Sequence, residues 1–264
     1  MDSEEMKKSV DQLRKSFIDD PDSGQLDPRD LQIVKNSDIP CISFIETTAS
    51  LSKALDTMKK HCQWRLKDSI NDLKASDLPI EVFRLGWIYY SGSDLSGRPV
   101  MWIRLKVPLG PKPLLYKYFT YTMEQVRNRT LAENMKPVVV YDCRDPSIDI
   151  SALKELVNIG INQYPPWIEY IIFLEMSTAF AFFCKAFRYF FPKHLRDHIQ
   201  FLSIPELETL ISTENYPDYM GGKVTTIDQS TLEQCPTFKE SRKVGKVDKK
   251  RPRTMLTPKQ FALF

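Results

Sequence analysis

Two histidines on one predicted helix have the spacing that zinc sites use. His194 and His198 lie four residues apart in His194-Leu-Arg-Asp-His198, with a carboxylate between them, and side chains at i and i+4 share a helix face. A catalytic zinc ion needs a third protein ligand and an open position. The chain has 3 histidines in all, and no cluster of Cys, His or Glu recurs near the pair. The pattern favours a surface helix, and a metal-dependent hydrolase is kept as an alternative.

Motifs for a nucleophile or for phosphate binding are absent from the sequence. It contains no Gly-x-Ser-x-Gly, no Gly-x-Gly-x-x-Gly and no phosphate-loop Gly-Lys-Ser/Thr. The glycine pair Gly221-Gly222 does not lie between a predicted strand and a predicted helix. We therefore predict no catalytic residue, no metal and no cofactor, and a protein that is not an enzyme.

The most informative segment is rich in phenylalanine. Six of the 15 phenylalanines lie between Phe180 and Phe191. On a helical wheel one broad face is apolar, and the opposite face places aromatic rings beside cations, as suits a lipid–water interface. The apolar face carries Phe180, Phe183, Cys184, Phe187, Phe190 and Phe191, and the other face carries Phe182, Lys185, Arg188 and Tyr189.

A transmembrane span and an ordinary core helix are the alternatives for this segment. The stretch from Ile171 to Phe191 is long enough to cross a bilayer. It contains Glu175, Lys185 and Arg188, and a charge at the centre of a span costs roughly 2.5 to 3.5 kcal/mol. The charges disfavour a span, and they leave a half-buried core helix open. We interpret the segment as a helix that covers an apolar cavity and can lie on a membrane.

Composition places the chain among globular proteins with a basic tail. A chain of 264 residues that is 42% hydrophobic can form one large domain and a small one. The charged N-terminus predicts no signal peptide, and 5 scattered cysteines without a Cys-x-x-Cys pair indicate a reducing cytoplasm. Between Lys239 and Arg253 there are 8 Lys/Arg and 2 Asp/Glu, a local charge of 8 − 2 = +6. We expect a disordered tail that an anionic membrane attracts, and no nucleic-acid binding.

The elements that must position these residues are helices first and strands later. Ser3, Asp27-Pro28 and Ser50 each provide a start signal for a helix within the first 75 residues. From residue 87 onwards, short runs of β-branched and aromatic residues alternate with helical segments, which predicts an α/β sheet with crossovers. The predicted strands are 87–90, 100–106, 137–142, 169–175 and 200–202, and the predicted helices between them are 114–131, 150–163, 179–191 and 192–198.

An apolar cavity between this sheet and the phenylalanine helix would suit a lipid. Lifting one acyl chain out of a bilayer exposes about 16 methylenes, each worth roughly 0.8 kcal/mol, so the cavity must be equally apolar. We predict a lid made of Phe180, Phe183, Phe187 and Phe190. The predicted floor consists of Met101, Ile103, Leu105, Val138, Val140, Ile171 and Phe173.

An ordered set of motifs resembles a known family over about residues 28 to 224. The set comprises Cys62-Gln-Trp-Arg65, Met101-Trp-Ile-Arg104, Val138-Val-Val-Tyr-Asp142, Tyr164-Pro-Pro166, the phenylalanine helix and Tyr216-Pro-Asp-Tyr-Met-Gly-Gly222. In order and spacing it is similar to the CRAL-TRIO (Sec14-like) lipid-binding domain with its N-terminal helical lobe. The resemblance implies a helical lobe at 1–78, a lipid-binding domain with a mixed, mostly parallel sheet at 79–224, and a basic tail at 225–264.

The resemblance also implies a function, with two departures. It implies non-catalytic binding or exchange of a hydrophobic lipid ligand under a mobile gate helix at 179–191, by a cytoplasmic, peripherally membrane-associated monomer. Where members that bind phosphatidylinositol have Tyr-Pro-Glu, this chain has Pro166, and where they have a lysine before the last strand it has His198. Recognition of phosphatidylinositol is therefore not carried over. The alternative is a membrane-associated tethering module that keeps the fold without exchanging lipid.

Overall fold

The computed structural model of the chain describes residues 3–105, 112–144, 156, 159–160, 163–164, 168–177, 196–224 and 229–243. Several predictions lie outside these residues. They are the gate helix at 179–191 with all its named residues, His194, Pro166, most of the predicted helices at 150–163 and 192–198, and the tail beyond residue 243.

Contacts between Cα atoms divide the chain into two compact units. The first consists of Met1–Leu73 and Asn158–Trp167, and the second of Lys74–Val157 and Ile168–Phe264. The first unit is thus assembled from two stretches that lie far apart in the sequence.

Helices form the N-terminal part of the first unit. They are α1 (Ser3–Ile18), α2 (Pro28–Asn36), α3 (Ile39–Thr47) and α4 (Leu51–Lys67). The Asp27 carboxylate accepts the Arg29 N–H at 2.9 Å ahead of Pro28, and the Ser50 hydroxyl accepts the Lys53 N–H, so both predicted start signals are confirmed as caps.

Helix α3 was not predicted as a separate element. Six of its residues, from Ile39 to Ile45, are buried, so it lacks the polar face that marks an amphipathic helix. It packs into one apolar cluster with α1 and α4. The buried members of this cluster are Val10, Leu13, Phe17, Leu26, Val34, Cys41, Phe44, Ile45, Ala54, Met58 and Cys62.

A buried ion pair joins α2 to α4. The Arg65 Nε donates to the Asp30 carboxylate at 2.8 Å, and both side chains are almost completely buried. Asn71 completes the network, because its amide donates to the other Asp30 oxygen at 2.9 Å and its carbonyl accepts from Arg65. The sequence pattern gave no sign that Arg65 lies inside the unit.

The second unit contains the strands of the chain's sheet. In chain order its elements are α5 (Ile80–Arg84), β1 (Ile88–Ser93), β2 (Pro99–Arg104), α6 (Lys112–Glu133), β3 (Val138–Asp142), β4 (Tyr170–Leu174), β5 (Ile199–Leu202), α7 (Ile204–Leu207), α8 (Gln229–Glu233) and α9 (Phe238–Lys243). Single 3₁₀ turns lie at Ser23–Gln25 and Ile70–Asp72 in the first unit, and at Ala75–Asp77, Thr213–Asn215 and Asp218–Met220 in the second.

The strands form one sheet in the order β1-β2-β3-β4-β5. Strands β1 and β2 are antiparallel, and every later pair is parallel. The predicted fold class, a mixed and mostly parallel sheet combined with helices, is therefore confirmed. The predicted hairpin is also present. Its turn is held by the buried Asp94 carboxylate, which accepts the N–H groups of Ser96 and Arg98 at 2.9 and 2.8 Å and the Tyr170 hydroxyl at 2.8 Å.

One face of the sheet packs against the segment that follows β5. We call it the Trp102 face, and its apolar partners include Leu207, Ile211 and Tyr216. The Tyr216 ring meets Trp102 edge-on at 6.0 Å. Alternation along the strands assigns Tyr89, Val100, Trp102, Arg104, Val138, Val140, Asp142, Tyr170, Ile172 and Leu174 to this face.

The loop that closes over the Trp102 face depends on one glycine. A Cβ at Gly222 would lie 1.9 Å from the Tyr216 carbonyl oxygen, closer than any side chain permits. The Gly222 N–H donates to the Pro217 carbonyl at 3.0 Å and fixes the turn. The Tyr-Pro…Gly-Gly motif is therefore a packing requirement of this loop.

Residues 229–243, which belong to the expected tail, form two short helices in the second unit. The Ile80 N–H donates to the Pro236 carbonyl at 2.9 Å, and the Phe238 N–H donates to the Glu81 carboxylate at 2.8 Å. The Ser241 side chain is buried. The first residue of α9 and the segment just before this helix are thus hydrogen-bonded to α5.

Candidate functional site

The opposite face of the sheet carries most of the predicted pocket floor. We call it the Phe173 face. Register pairs Ile103 with Tyr141 and Tyr141 with Phe173, and the side-chain period of two places Met101, Leu105 and Ile171 with them. The remaining members of this face are Ile88, Tyr90, Val139, Ile199 and Phe201.

Two of the seven predicted floor residues lie on the face opposite to the other five. Val138 and Val140 pair with Val100 and Trp102 and belong to the cluster beneath the Trp102 face. All five residues of β3 are buried, so the strand shows no polar alternation that would fix its phase. A floor made of all seven side chains on one face is therefore not possible, because the β3 residues on the Phe173 face are Val139 and Tyr141.

Three aromatic rings form a row across the Phe173 face. The Tyr141 and Phe173 rings stack with centroids 5.0 Å apart at 11°, and Phe173 stacks on Phe201 at 5.6 Å and 23°. Tyr141 and Phe173 are buried, whereas Phe201 is 40% exposed. The row runs from the middle of the sheet to β5 and ends in a partly exposed ring.

The Phe173 face is apolar as far as the structure describes it. Met101, Ile103, Leu105, Val139 and Ile171 all lie there with almost no exposed surface. Tyr141 adds a hydroxyl, and burial raises the pKa of this phenol well above its usual range. The group stays neutral at physiological pH. The strand residues of this face are thus apolar or aromatic, and none of those described is charged.

Helix α6 lies against the β1 end of this face. The Tyr118 hydroxyl donates to the Ile88 carbonyl at 2.6 Å, and the Arg129 guanidinium lies 5.0 Å from the centroid of the Tyr90 ring. Arg129 also forms an ion pair with Glu133. Helix α6 therefore encloses the side of the face away from Phe201.

Of the three positions that were weighed for a headgroup or a metal ion, Pro166, His194 and His198, the structure describes His198. His198 is exposed just before β5, and its carbonyl accepts the Ile171 N–H at 2.9 Å. Among the described residues, no group of three His, Cys, Asp or Glu side chains is arranged to hold a metal ion.

Two of the motif segments meet inside the first unit. The rings of Trp64 and Tyr164 contact edge-on at 5.5 Å, and His61 lies 6.2 Å from Tyr164. The His61 ring also hydrogen-bonds the Gln163 carbonyl at 2.5 Å. Gln163 and Tyr164 are therefore fastened to α4 by aromatic packing and a hydrogen bond.

Comparison with known proteins identifies the family. The CRAL/TRIO domain model matches residues 83–222, which is more than half of the chain. The chain belongs to the CRAL/TRIO domain family. The matched span begins at Phe83 in α5, contains the whole sheet and ends at Gly222, so both faces and the closing loop are parts of the CRAL/TRIO domain.

Solved structures support the same fold. The structure described as "Crystal structure of Sfh5" superposes on this chain with a TM-score of 0.57. The superposition covers 84% of this chain and 88% of that protein's chain. The sequences are 13% identical, so this likeness concerns the fold alone. Through the CRAL/TRIO domain, the chain belongs to a family of lipid-binding and lipid-transfer proteins.

Within the part of the chain that the structure describes, no helix has both the length and the apolar composition needed to cross a bilayer.

Proposed function

We propose that this CRAL/TRIO protein binds a hydrophobic ligand, a phospholipid or another lipid, on the Phe173 face and transfers it between membranes without catalysis. The observation that carries the proposal is the apolar face that ends in the partly exposed Phe201 ring. A lipid chain placed along this row would leave water and contact the Phe201 ring at one end. Along the rest of its length it would contact apolar side chains.

The proposed floor has Val139 and Tyr141 in place of Val138 and Val140, and it includes Phe201. It consists of Met101, Ile103, Leu105, Val139, Tyr141, Ile171, Phe173 and Phe201. The lid is the gate helix at 179–191, with Phe180, Phe183, Phe187 and Phe190 towards the ligand. Phe182, Lys185, Arg188 and Tyr189 face the membrane during exchange. The protein acts as a cytoplasmic monomer that binds membranes peripherally.

Lipid extraction tests the proposal. The protein is incubated with mixed liposomes and re-isolated, and its bound lipid is identified by mass spectrometry. We expect one lipid class to be recovered in a stoichiometric amount. Recovery of empty protein from every liposome mixture would reject lipid binding.

A pair of matched variants connects the extraction to the Phe173 face. Phe201→Ser removes the partly exposed end of the aromatic row and should reduce lipid recovery severalfold. Leu95→Ser is the control, because Leu95 is 65% exposed at the hairpin turn and is held there by its backbone N–H, which donates to the Leu210 carbonyl at 2.8 Å. Equal lipid recovery from the two variants would show that the ligand does not use this face.

The two faces of the gate helix predict different defects. Phe182→Asp should weaken liposome docking and leave the fold intact, whereas Phe187→Asp should damage the pocket or the fold. Full liposome association of both variants would show that the faces are assigned incorrectly.

A tethering module is the second candidate function. The basic residues towards the end of the chain favour it, because several cations near an anionic membrane contribute about 1 kcal/mol each. Deleting residues 244–264 leaves α9 in place. Lipid transfer in vitro should survive this deletion if the protein exchanges lipid, whereas membrane localisation should collapse if the protein is a tether.

We also infer a closer likeness within the family. Gln63-Trp-Arg65, Met101-Trp-Ile-Arg104 and the Tyr-Pro…Met-Gly-Gly frame make the chain most similar to the CRAL-TRIO part of motile sperm domain-containing protein 2. A phylogeny of CRAL/TRIO domains that groups the chain elsewhere would contradict this inference.

A further inference from the structure

Arg104 is a cation without a counterion among the described residues. It is the last residue of β2, half-buried on the Trp102 face, and its Cζ lies 4.0 Å from the centroid of the Tyr219 ring. Gly86 is its neighbour, because a Cβ at that position would lie 3.9 Å from the Arg104 Nη1, at ordinary contact distance. No hydrogen bond or carboxylate within 4.0 Å of this guanidinium occurs in the described part of the chain. An ionised group that is partly removed from water and unpaired is costly.

A second guanidinium lies at the same tyrosine ring. The Arg144 Cζ is 5.9 Å from the Tyr219 centroid, and its side chain is 36% exposed. Arg144 holds both Asp142 oxygens, with its Nε and Nη2 donating at 2.9 and 2.8 Å. Asp142 is the register partner of Arg104, yet its carboxylate is used by Arg144.

Two buried phenol hydroxyls belong to the same cluster. The Tyr89 and Tyr219 rings meet edge-on at 6.4 Å. Their hydroxyls interact with each other, and neither forms a hydrogen bond of regular geometry with another described group. Burial raises the pKa of both phenols well above their usual range, so both keep their protons and can donate.

The other carboxylates nearby are bound to backbone groups. Glu175 accepts the Ile204 N–H at 2.7 Å, and Asp218 accepts the Tyr219 N–H at 2.7 Å. The cluster lies at the carboxyl ends of β2 and β3, the edge at which open α/β sheets bind their ligands. It therefore combines a guanidinium without a counterion among the described residues, a second guanidinium and two buried phenol hydroxyls at the carboxyl edge of the parallel strands.

We propose that Arg104, assisted by Arg144 and Tyr219, binds a phosphate group at this edge of the Trp102 face. The planar guanidinium fork matches two phosphate oxygens, and charge-assisted hydrogen bonds are the strong ones. The phosphate is carried either by a lipid headgroup or by a soluble molecule. This site lies on the other side of the sheet from the Phe173 face, so it does not depend on the proposed lipid pocket.

Titration with inorganic phosphate tests the site. Calorimetry at neutral pH should show saturable binding to the full chain, weakened about tenfold or more in Arg104→Gln. Arg104→Lys keeps the charge without the fork and should bind with intermediate affinity. Arg129→Gln is the matched control, since Arg129 also lies over a tyrosine ring but has Glu133 as its counterion; it should bind phosphate like the unmodified protein.

Each result of the titration decides the proposal. Absence of saturable phosphate binding by the unmodified protein overturns it. Equal affinities of Arg104→Gln and the unmodified protein also overturn it, provided that both have the same circular dichroism spectrum. If Arg104→Gln does not fold, Tyr219→Phe replaces it, because this variant keeps the ring under the guanidinium and removes one donor. It should bind phosphate severalfold more weakly, and unchanged affinity would count against the site.

Vesicle binding identifies the source of the phosphate. Phosphatidylcholine vesicles with and without phosphatidic acid are sedimented with the protein and with the Arg104→Gln and Arg129→Gln variants. Selective loss of phosphatidic acid binding in Arg104→Gln assigns the site to a lipid headgroup. Unchanged vesicle binding, together with weakened inorganic phosphate binding, assigns it to a soluble phosphate.

Discussion

At the scale of single residues, the adjacent glycines Gly221 and Gly222 are needed for different reasons. One has a backbone conformation that favours glycine, and the other has no space for a side chain. Gly222 has no space for a Cβ, whereas Gly221 has open space but a φ of +85°. Gly222→Ala should therefore lower the free energy of unfolding by about 2 kcal/mol or more, and Gly221→Ala by about 1 kcal/mol. Denaturant unfolding measures both, with Gly24→Ala as a control, because a Cβ at Gly24 meets nothing within 4 Å. Equal losses in the two adjacent variants would contradict the loop geometry.

Asp27 gives the first unit a dependence on pH. The Arg29 guanidinium and backbone N–H that bind Asp27 hold the pKa of this carboxyl well below its usual range. A carboxyl with a lowered folded-state pKa stabilises the fold above its unfolded pKa of about 3.9, and this contribution is lost as the pH falls from there towards the folded-state value. We expect Asp27→Asn, which can still cap α2, to be less stable at neutral pH.

The measurement is stability against pH for both proteins. The difference between Asp27→Asn and the unmodified protein should be greatest at neutral pH and should shrink below about pH 4. A difference that stays constant across this range would mean that the charge of Asp27 does not act on stability.

At the scale of elements, the Arg65–Asp30 pair fastens α4 to α2. Arg65→Ala would leave a buried carboxylate without its cation and should destabilise the first unit by about 3 to 5 kcal/mol. Hydrogen exchange of the α2 and α4 amides would show the loss locally. Lys8→Ala breaks an exposed pair with Glu4 and should change stability by less than about 1 kcal/mol. Similar exchange rates in the two variants would refute the role of the buried pair.

Helices and strands could be predicted from the sequence where a start signal or an alternation of apolar and polar residues marks them. Caps at Asp27 and Ser50 marked helix starts, and β-branched runs marked β2, β3 and β4. Helix α3 is buried almost all round, and β3 is buried on both faces, so neither shows the alternation that sequence interpretation needs. Without that phase, sequence alone does not separate Val138 and Val140 from Met101 and Ile103, which lie on the opposite face, and it does not mark Tyr141 and Phe201 as members of the aromatic row.

At the scale of the whole molecule, bound lipid should stabilise the protein. A ligand that binds the folded state but not the unfolded state raises its stability by mass action. Protein re-isolated with lipid should therefore melt several degrees above delipidated protein, and reloading should restore the difference. Phe201→Ser should show a smaller rise than Leu95→Ser in differential scanning calorimetry. A melting temperature that does not change with lipid loading would argue against a ligand buried on the Phe173 face.

The order of strands in space is also their order in the chain. During synthesis, each strand from β2 onwards therefore finds the edge it pairs with already made. Among the strands that the structure describes, none has to wait for a later one to be inserted beside it. The first unit behaves differently, because Gln163 and Tyr164, which fasten to α4, leave the ribosome only after β3. The sheet can therefore grow strand by strand. The N-terminal helices, in contrast, gain their contacts with Gln163 and Tyr164 only after about a hundred further residues have been synthesised.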